Sequence, residues 1–131
     1  MKLICIGDSL TFGYGVHLSQ RWTRLCAQET GWELVNEGIN GDTTGGMLAR
    51  MQGGVLAELR EGGLGADRPY VLLMGGSNDV FYSGSDAAAR ENMGAMIHQL
   101  FSVGVLPVVG IPLPADAPHA PRSILKRRSG R

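Results

Sequence analysis

Cysteine is scarce in this 131-residue chain. Cys5 and Cys26 are too few for a disulfide framework and sit in apolar surroundings, so both read as reduced core residues. Aromatic residues make up 6% of the chain and charged residues 18%, and the formal net charge is zero. No apolar run reaches the ~20 residues of a membrane span, which predicts a chain without membrane segments. The first strand begins directly after Met1 and leaves no room for a signal peptide, so cytoplasm is the expected location. A phosphate loop with its lysine is missing, and Gly13-Tyr14-Gly15 does not continue into G-x-G-x-x-G. Nucleotide binding therefore gains no support.

What the chain does have is glycine, 20 of 131 residues, about twice the usual ~7%. With no collagen period, that predicts tight turns and close backbone approaches. The length suits one domain able to bury a core. Zero net charge hides an asymmetry: residues 1–116 hold 7 Lys+Arg against 12 Asp+Glu, and residues 117–131 hold five basic residues and no acidic one. Five of the six prolines follow Phe101. We accordingly divide the chain into a folded unit, residues 1–113, and a Pro-rich basic tail, residues 114–131. The tail reads either as a basic arm or as a disordered or non-native terminus. No aromatics interleave with its charges, and nucleic acid is not an expected partner.

Strands and helices alternate along the body. "KLICI" is a short apolar strand ending at Gly7. "QRWTRLCAQETG" places Trp22, Leu25, Cys26 and Glu29 at helical spacing, with Ser19 as N-cap and Gly31 as stop. "ELVNEG" is a second strand. "TTGGMLARM" is a helix capped by Thr43 or Thr44, with Met47, Leu48 and Met51 on one face; Gly53-Gly54 is expected to break it. "YVLLMGG" is a third strand, expected to be buried on both faces. "SDAAARENMGAMIHQLFSVG" is the clearest helix, with Met93, Met96, Ile97 and Leu100 in a stripe and Gly104 at its end. "VLPVVGIPLP" is a fourth strand. The order βαβαβαβ implies a parallel sheet with right-handed crossovers. Such sheets carry their chemistry on loops at the carboxyl ends of the strands.

Those loops hold "GDSLTFGYG", "GINGDTT" and "GGSNDVF". A serine on a sharp strand-to-helix turn stands clear of the sheet, and a flanking glycine permits the turn; Ser9 has that placement. A serine nucleophile also needs donors aimed at the oxyanion of a tetrahedral intermediate. The Ser9 and Gly41 N–H groups and the Asn78 amide can supply them. Singly each signal is weak, and Asn78-Asp79 alone would be a helix cap. One per strand end, in this order, they are specific.

"GDSLTFGYG", "NGDTT" and "GGSND" resemble the first three blocks of the SGNH, or GDSL, hydrolases, which are esterases and lipases. The resemblance covers roughly residues 2–113. It implies a flavodoxin-like α/β/α fold with strand order 2-1-3-4 and a fifth strand apparently missing. It also implies Ser9 as nucleophile and Ser9, Gly41 and Asn78 as the oxyanion hole. The implied substrates are acyl esters, thioesters, lysophospholipids or acetylated sugars, with no metal or cofactor.

The family's fourth block, Asp-x-x-His, supplies the base and its orienting carboxylate. Here the match is Asp116-Ala117-Pro118-His119, directly after the fourth strand. Reach permits it: eight residues from Ile111 span up to roughly 26 Å, against about 10 Å between strands one and four. Pro118, however, keeps Ala117 out of the α region. In an extended polyproline form Asp116 and His119 stand about 9 Å apart, so no hydrogen-bonded pair is expected. Two readings follow: an esterase with His119 relocated, or a truncated or frameshifted hydrolase lacking its base. The second leaves strand four as an edge open to self-association. His17, beside the nucleophile loop, and His98, on the long helix, read as ordinary surface residues.

Overall fold

The computed structural model describes residues 1–61 and 69–112. Asp116, His119 and the basic tail lie outside them, as does the boundary drawn at residue 113. β1 (Lys2–Gly7), β2 (Glu33–Gly38), β3 (Tyr70–Met74) and β4 (Pro107–Gly110) form one sheet in the order β2-β1-β3-β4. Every pairing is parallel, with Cys5 opposite Asn36 and Leu72, and Leu72 opposite Val108. The chain reverses after β1, leading to β2 on one side and β3 on the other. That switch point opens a crevice at the carboxyl ends.

One face of the sheet carries the main core. Ile4, Ile6, Val71 and Leu73 point into it and meet Met47, Met51, Val55, Met96 and Leu100. These come from α3 (Thr44–Ala49), the π-helical turn Met51–Val55 and α6 (Ala87–Ser102); Leu59 of α4 (Leu56–Glu61) closes the cluster. Each such side chain taken from water contributes about 1.5–3 kcal/mol.

The opposite face carries Cys5, Asn36, Leu72 and Val108. Asn36 marks which helices lie there, since its amide donates to the Thr11 carbonyl at 2.8 Å and the Thr23 hydroxyl at 3.2 Å. These belong to α1 (Ser9–Phe12) and α2 (Trp22–Thr30). α1 sits over β1 and β2, and α2 over β2. Among the described residues nothing comparable covers β3 and β4 on this side, so Leu72 and Met74 are half-buried and Val108 is exposed. Cys5 and Cys26 are free thiols. Burial, then the neighbouring Cys26, pushes the Cys5 thiol up to about 12, so it is no nucleophile at neutral pH.

Four local expectations need correction. Ser19 does not cap α2; it lies in a 3-10 turn (Leu18–Gln20), and α2 starts at Trp22 with no side-chain cap. The covered face of α2 is Thr23, Cys26 and Ala27, with Leu25 and Glu29 exposed, because α2 packs by Thr23 against Asn36. Gly53-Gly54 does not mark the break: α3 already ends at Ala49, and the two glycines lie in the π turn, where the Leu56 N–H donates to the Met51 carbonyl five residues back. β3 is fully buried on one face only. The caps at Thr43, Gly31 and Gly104 hold: Thr43 accepts from Gly46 N–H, and both glycines adopt positive φ. Among the described residues no helix is long and apolar enough to cross a membrane.

Candidate active site

Ser9 opens α1, and Asp8 immediately before it is the N-cap, its Oδ1 accepting the Leu10 N–H at 2.9 Å. This turn fits under the sheet edge because glycines stand where backbones meet. A Cβ on Gly7 would collide with Thr11 and the Met74 carbonyl, and one on Gly38 with the main chain of Phe12. Asp8 is nearly fully buried. That burial pushes its carboxyl up from its ordinary value, against the lowering effect of the Leu10 N–H and its own. The Asp42 and Asp79 carboxylates raise it further.

Ser9 and Asn78 line one cleft of about 720 Å³, whose other walls include Leu10, Trp22, Leu72, Met74 and Phe81. The walls are largely apolar, and the polar residues among them are Asp8, Ser9, Ser77 and Asn78. Asn78 lies in the first turn of α5 (Ser77–Ser83). Its Nδ2 donates to the Asp42 carbonyl at 2.8 Å. A carbonyl can only accept, so the amide nitrogen must face it, and the amide's second N–H is left with a set direction.

Gly41 does not line the cleft itself but joins it through Asp42, its chain neighbour. It has φ +78°, a left-handed conformation that favours glycine, and is exposed. The N–H of Gly41 and that of Ser9, the first residue of its helix, have no acceptor among the described residues. The three positions singled out in the sequence thus come to one end of the sheet. Neither described histidine joins them. His17 is exposed and bonds Ser19 through Nδ1 at 2.8 Å, and His98 is exposed on α6. Among the described residues no group of three His, Cys, Asp or Glu side chains could hold a metal ion.

Sequence reasoning missed two networks that hold this end together. Asp79, which reads as a helix cap, is buried and accepts from Thr44 twice: from its N–H at 2.9 Å and from its hydroxyl at 2.6 Å. The Thr44 hydroxyl in turn accepts from Asn92 of α6 at 3.1 Å. Arg50 forms the second network. Its Nε donates to Asp42 Oδ2 at 2.9 Å, its Nη1 to the Glu37 carbonyl at 2.7 Å and its Nη2 to the Gly7 carbonyl at 2.8 Å. No local pattern announces either, since the partners stand up to 48 positions apart.

Residues 5–130 match the GDSL-like lipase/acylhydrolase family. The chain is 30% identical over 129 residues to Esterase TesA of Pseudomonas aeruginosa, and it spans 93% of its own length but 59% of that protein. A protein of the G-D-S-L family from Desulfitobacterium hafniense superposes with a TM-score of 0.80 at 25% identity, over 98% of this chain and 67% of that one. The crystal structure of TesA gives a TM-score of 0.75 at 28% identity, over 99% of this chain and 71% of that one.

Proposed function

The chain belongs to the GDSL-like lipase/acylhydrolase family, and from that premise we propose that it hydrolyses carboxylic esters with Ser9 as nucleophile. The observation that carries this reading is the shared, largely apolar cleft lined by both Ser9 and Asn78. The acyl group of the ester lies along Leu72, Met74, Trp22 and Phe81, and its carbonyl meets Ser9 Oγ. Attack forms a tetrahedral intermediate whose oxyanion accepts from the Ser9 and Gly41 N–H groups and the second N–H of Asn78. Collapse expels the alcohol and leaves an acyl-Ser9 ester, which water hydrolyses. Donors already aimed at the developing charge need no reorganisation during reaction, which makes them the largest contributor to such rates.

A serine hydroxyl is a poor nucleophile near neutral pH without a base beside it. Neither His17 nor His98 lines the cleft. That observation favours a second reading, in which the nucleophile and oxyanion donors persist with slow turnover; the first requires His119, oriented by Asp116, to act as base. The test is hydrolysis of a short p-nitrophenyl ester, with fluorophosphonate labelling in parallel. Hydrolysis and labelling lost in a folded Ser9→Ala variant support the Ser9 esterase. Identical rates in both proteins, with no labelling of wild type, overturn it. Strong turnover abolished by His119→Ala assigns the base to Asp116-Ala117-Pro118-His119; sluggish turnover indifferent to His119→Ala selects the second reading.

A further inference from the structure

We infer that Arg50 is a positioning residue that sets the geometry of the oxyanion donors, an inference that rests on the Ser9 esterase reading. Its three acceptors all belong to the site's scaffolding. Gly7 ends β1 two residues before Ser9, Glu37 lies at the end of β2, and Asp42 follows Gly41. One planar guanidinium thus ties together the nucleophile turn and the Gly41 loop. The third loop is then tied on by the Asp42 carbonyl, which holds the Asn78 amide. A planar, forked guanidinium meets three acceptors in fixed directions from three separate nitrogens, whereas a lysine ammonium offers its three N–H groups from one point on a flexible stem.

The surroundings are shaped to keep this arrangement. The Arg50 and Asp42 side chains are 22% and 13% exposed, so their ion pair is largely shielded from water. The other oxygen of Asp42, Oδ1, accepts the Thr43 N–H at 2.9 Å, which fixes the carboxylate on both sides. Gly46 faces it without a side chain, and a Cβ there would collide with Oδ1. The Gly7 carbonyl is shared with the Ile39 N–H at 3.1 Å, so the Arg50 bond and the Gly41 loop meet at one oxygen. Arg50 is not among the residues that line the cleft. Its effect must pass through the loops it holds.

The test is a kinetic cycle on Ser9-dependent hydrolysis of p-nitrophenyl acetate. Arg50→Ala should lower kcat by about 10²-fold, the cost of a small misplacement of reacting groups, with KM changed little. Arg50→Lys should recover only part of that. Arg50→Ala combined with Asn78→Ala should fall by less than the product of the two single losses, because the Asn78 share of the geometry is counted in both while the Ser9 and Gly41 donors still depend on Arg50. Losses that multiply, or an unchanged kcat in folded Arg50→Ala, overturn the inference. If Arg50→Ala does not fold, Arg50→Lys and Asp42→Asn carry the same cycle. Wild type without Ser9-dependent turnover sinks the esterase reading, and the side-chain amide resonances of Asn78 then decide about Arg50. They should shift in Arg50→Lys while those of Gln28, on α2, stay in place; an unmoved Asn78 pair overturns the inference.

Discussion

The Asn78 side-chain amide donates to the main-chain carbonyl of Asp42 across 2.8 Å, although the two residues lie 36 positions apart. This bond orients an amide on one strand-end loop by means of another.

Asn78→Ala is therefore expected to lower Ser9-dependent ester hydrolysis by about 10²-fold or more in kcat, the usual loss for one oxyanion donor. Its stability cost should be only about 1 kcal/mol, that of a single hydrogen bond. Rates measured alongside thermal melts check both. An unchanged kcat in a folded variant removes Asn78 from the site.

Thr44 is fully buried and its hydroxyl bonds Asp79 and Asn92 at once. Thr44→Val keeps the shape but strands a carboxylate oxygen and an amide. We expect a loss of about 2–3 kcal/mol and a fall in Tm of roughly 10 °C. Thr44→Ser, which keeps the hydroxyl, should lose clearly less; equal losses would mean that packing and not the network is at stake.

Asp8 gives a pH dependence whose sign follows from its raised pKa. Above its ordinary value of 3.8 the folded chain holds this proton more tightly than the unfolded one. The associated stability is present at low pH and declines as pH rises through the folded value. Asp8→Asn stays neutral and can still accept the Leu10 N–H. It should melt higher than wild type near neutral pH, and the gap should narrow on acidification. A gap that is constant or widens contradicts the assignment.

Two glycine substitutions should move stability in opposite directions. Gly38→Ala drives a Cβ into the Phe12 backbone, which cannot swing aside as a side chain would. A loss of about 2–3 kcal/mol is expected from such overpacking. Gly54→Ala meets nothing within 4 Å at a backbone without positive φ. It should add about 0.4–1 kcal/mol by restricting the unfolded chain. Urea denaturation of both variants checks the pair of signs.

β4 pairs with β3 alone among the described residues, and Val108 and Val109 are each 45% exposed. We propose that this edge mediates self-association. Sedimentation should show a concentration-dependent species that Val109→Lys suppresses. A monomer at every concentration would remove the proposal.

The strand order β2-β1-β3-β4 was implied by the family resemblance; the alternation of apolar runs with glycine and cap residues was enough to foresee the parallel sheet and the residues at each carboxyl end. Both are local properties: Gly7 stops a strand, Thr43 starts a helix, and a parallel sheet puts Ser9, Gly41 and Asn78 on one side. The boundaries that failed were those where a tertiary partner outweighed local preference. Trp22 begins α2 and Thr23 faces inward because Asn36 of β2 faces it, and Gly53-Gly54 lies in a π turn after α3 has already ended. The ties that position the site were beyond sequence reading altogether. Arg50 meets Gly7 from 43 residues away, and Thr44 meets Asp79 from 35. Such bonds have no periodicity along the chain, since they exist only when the fold brings distant groups into one partly dry space where each must find a partner. Sequence alone determined which residues reach the end of the sheet; tertiary structure decided what holds them there.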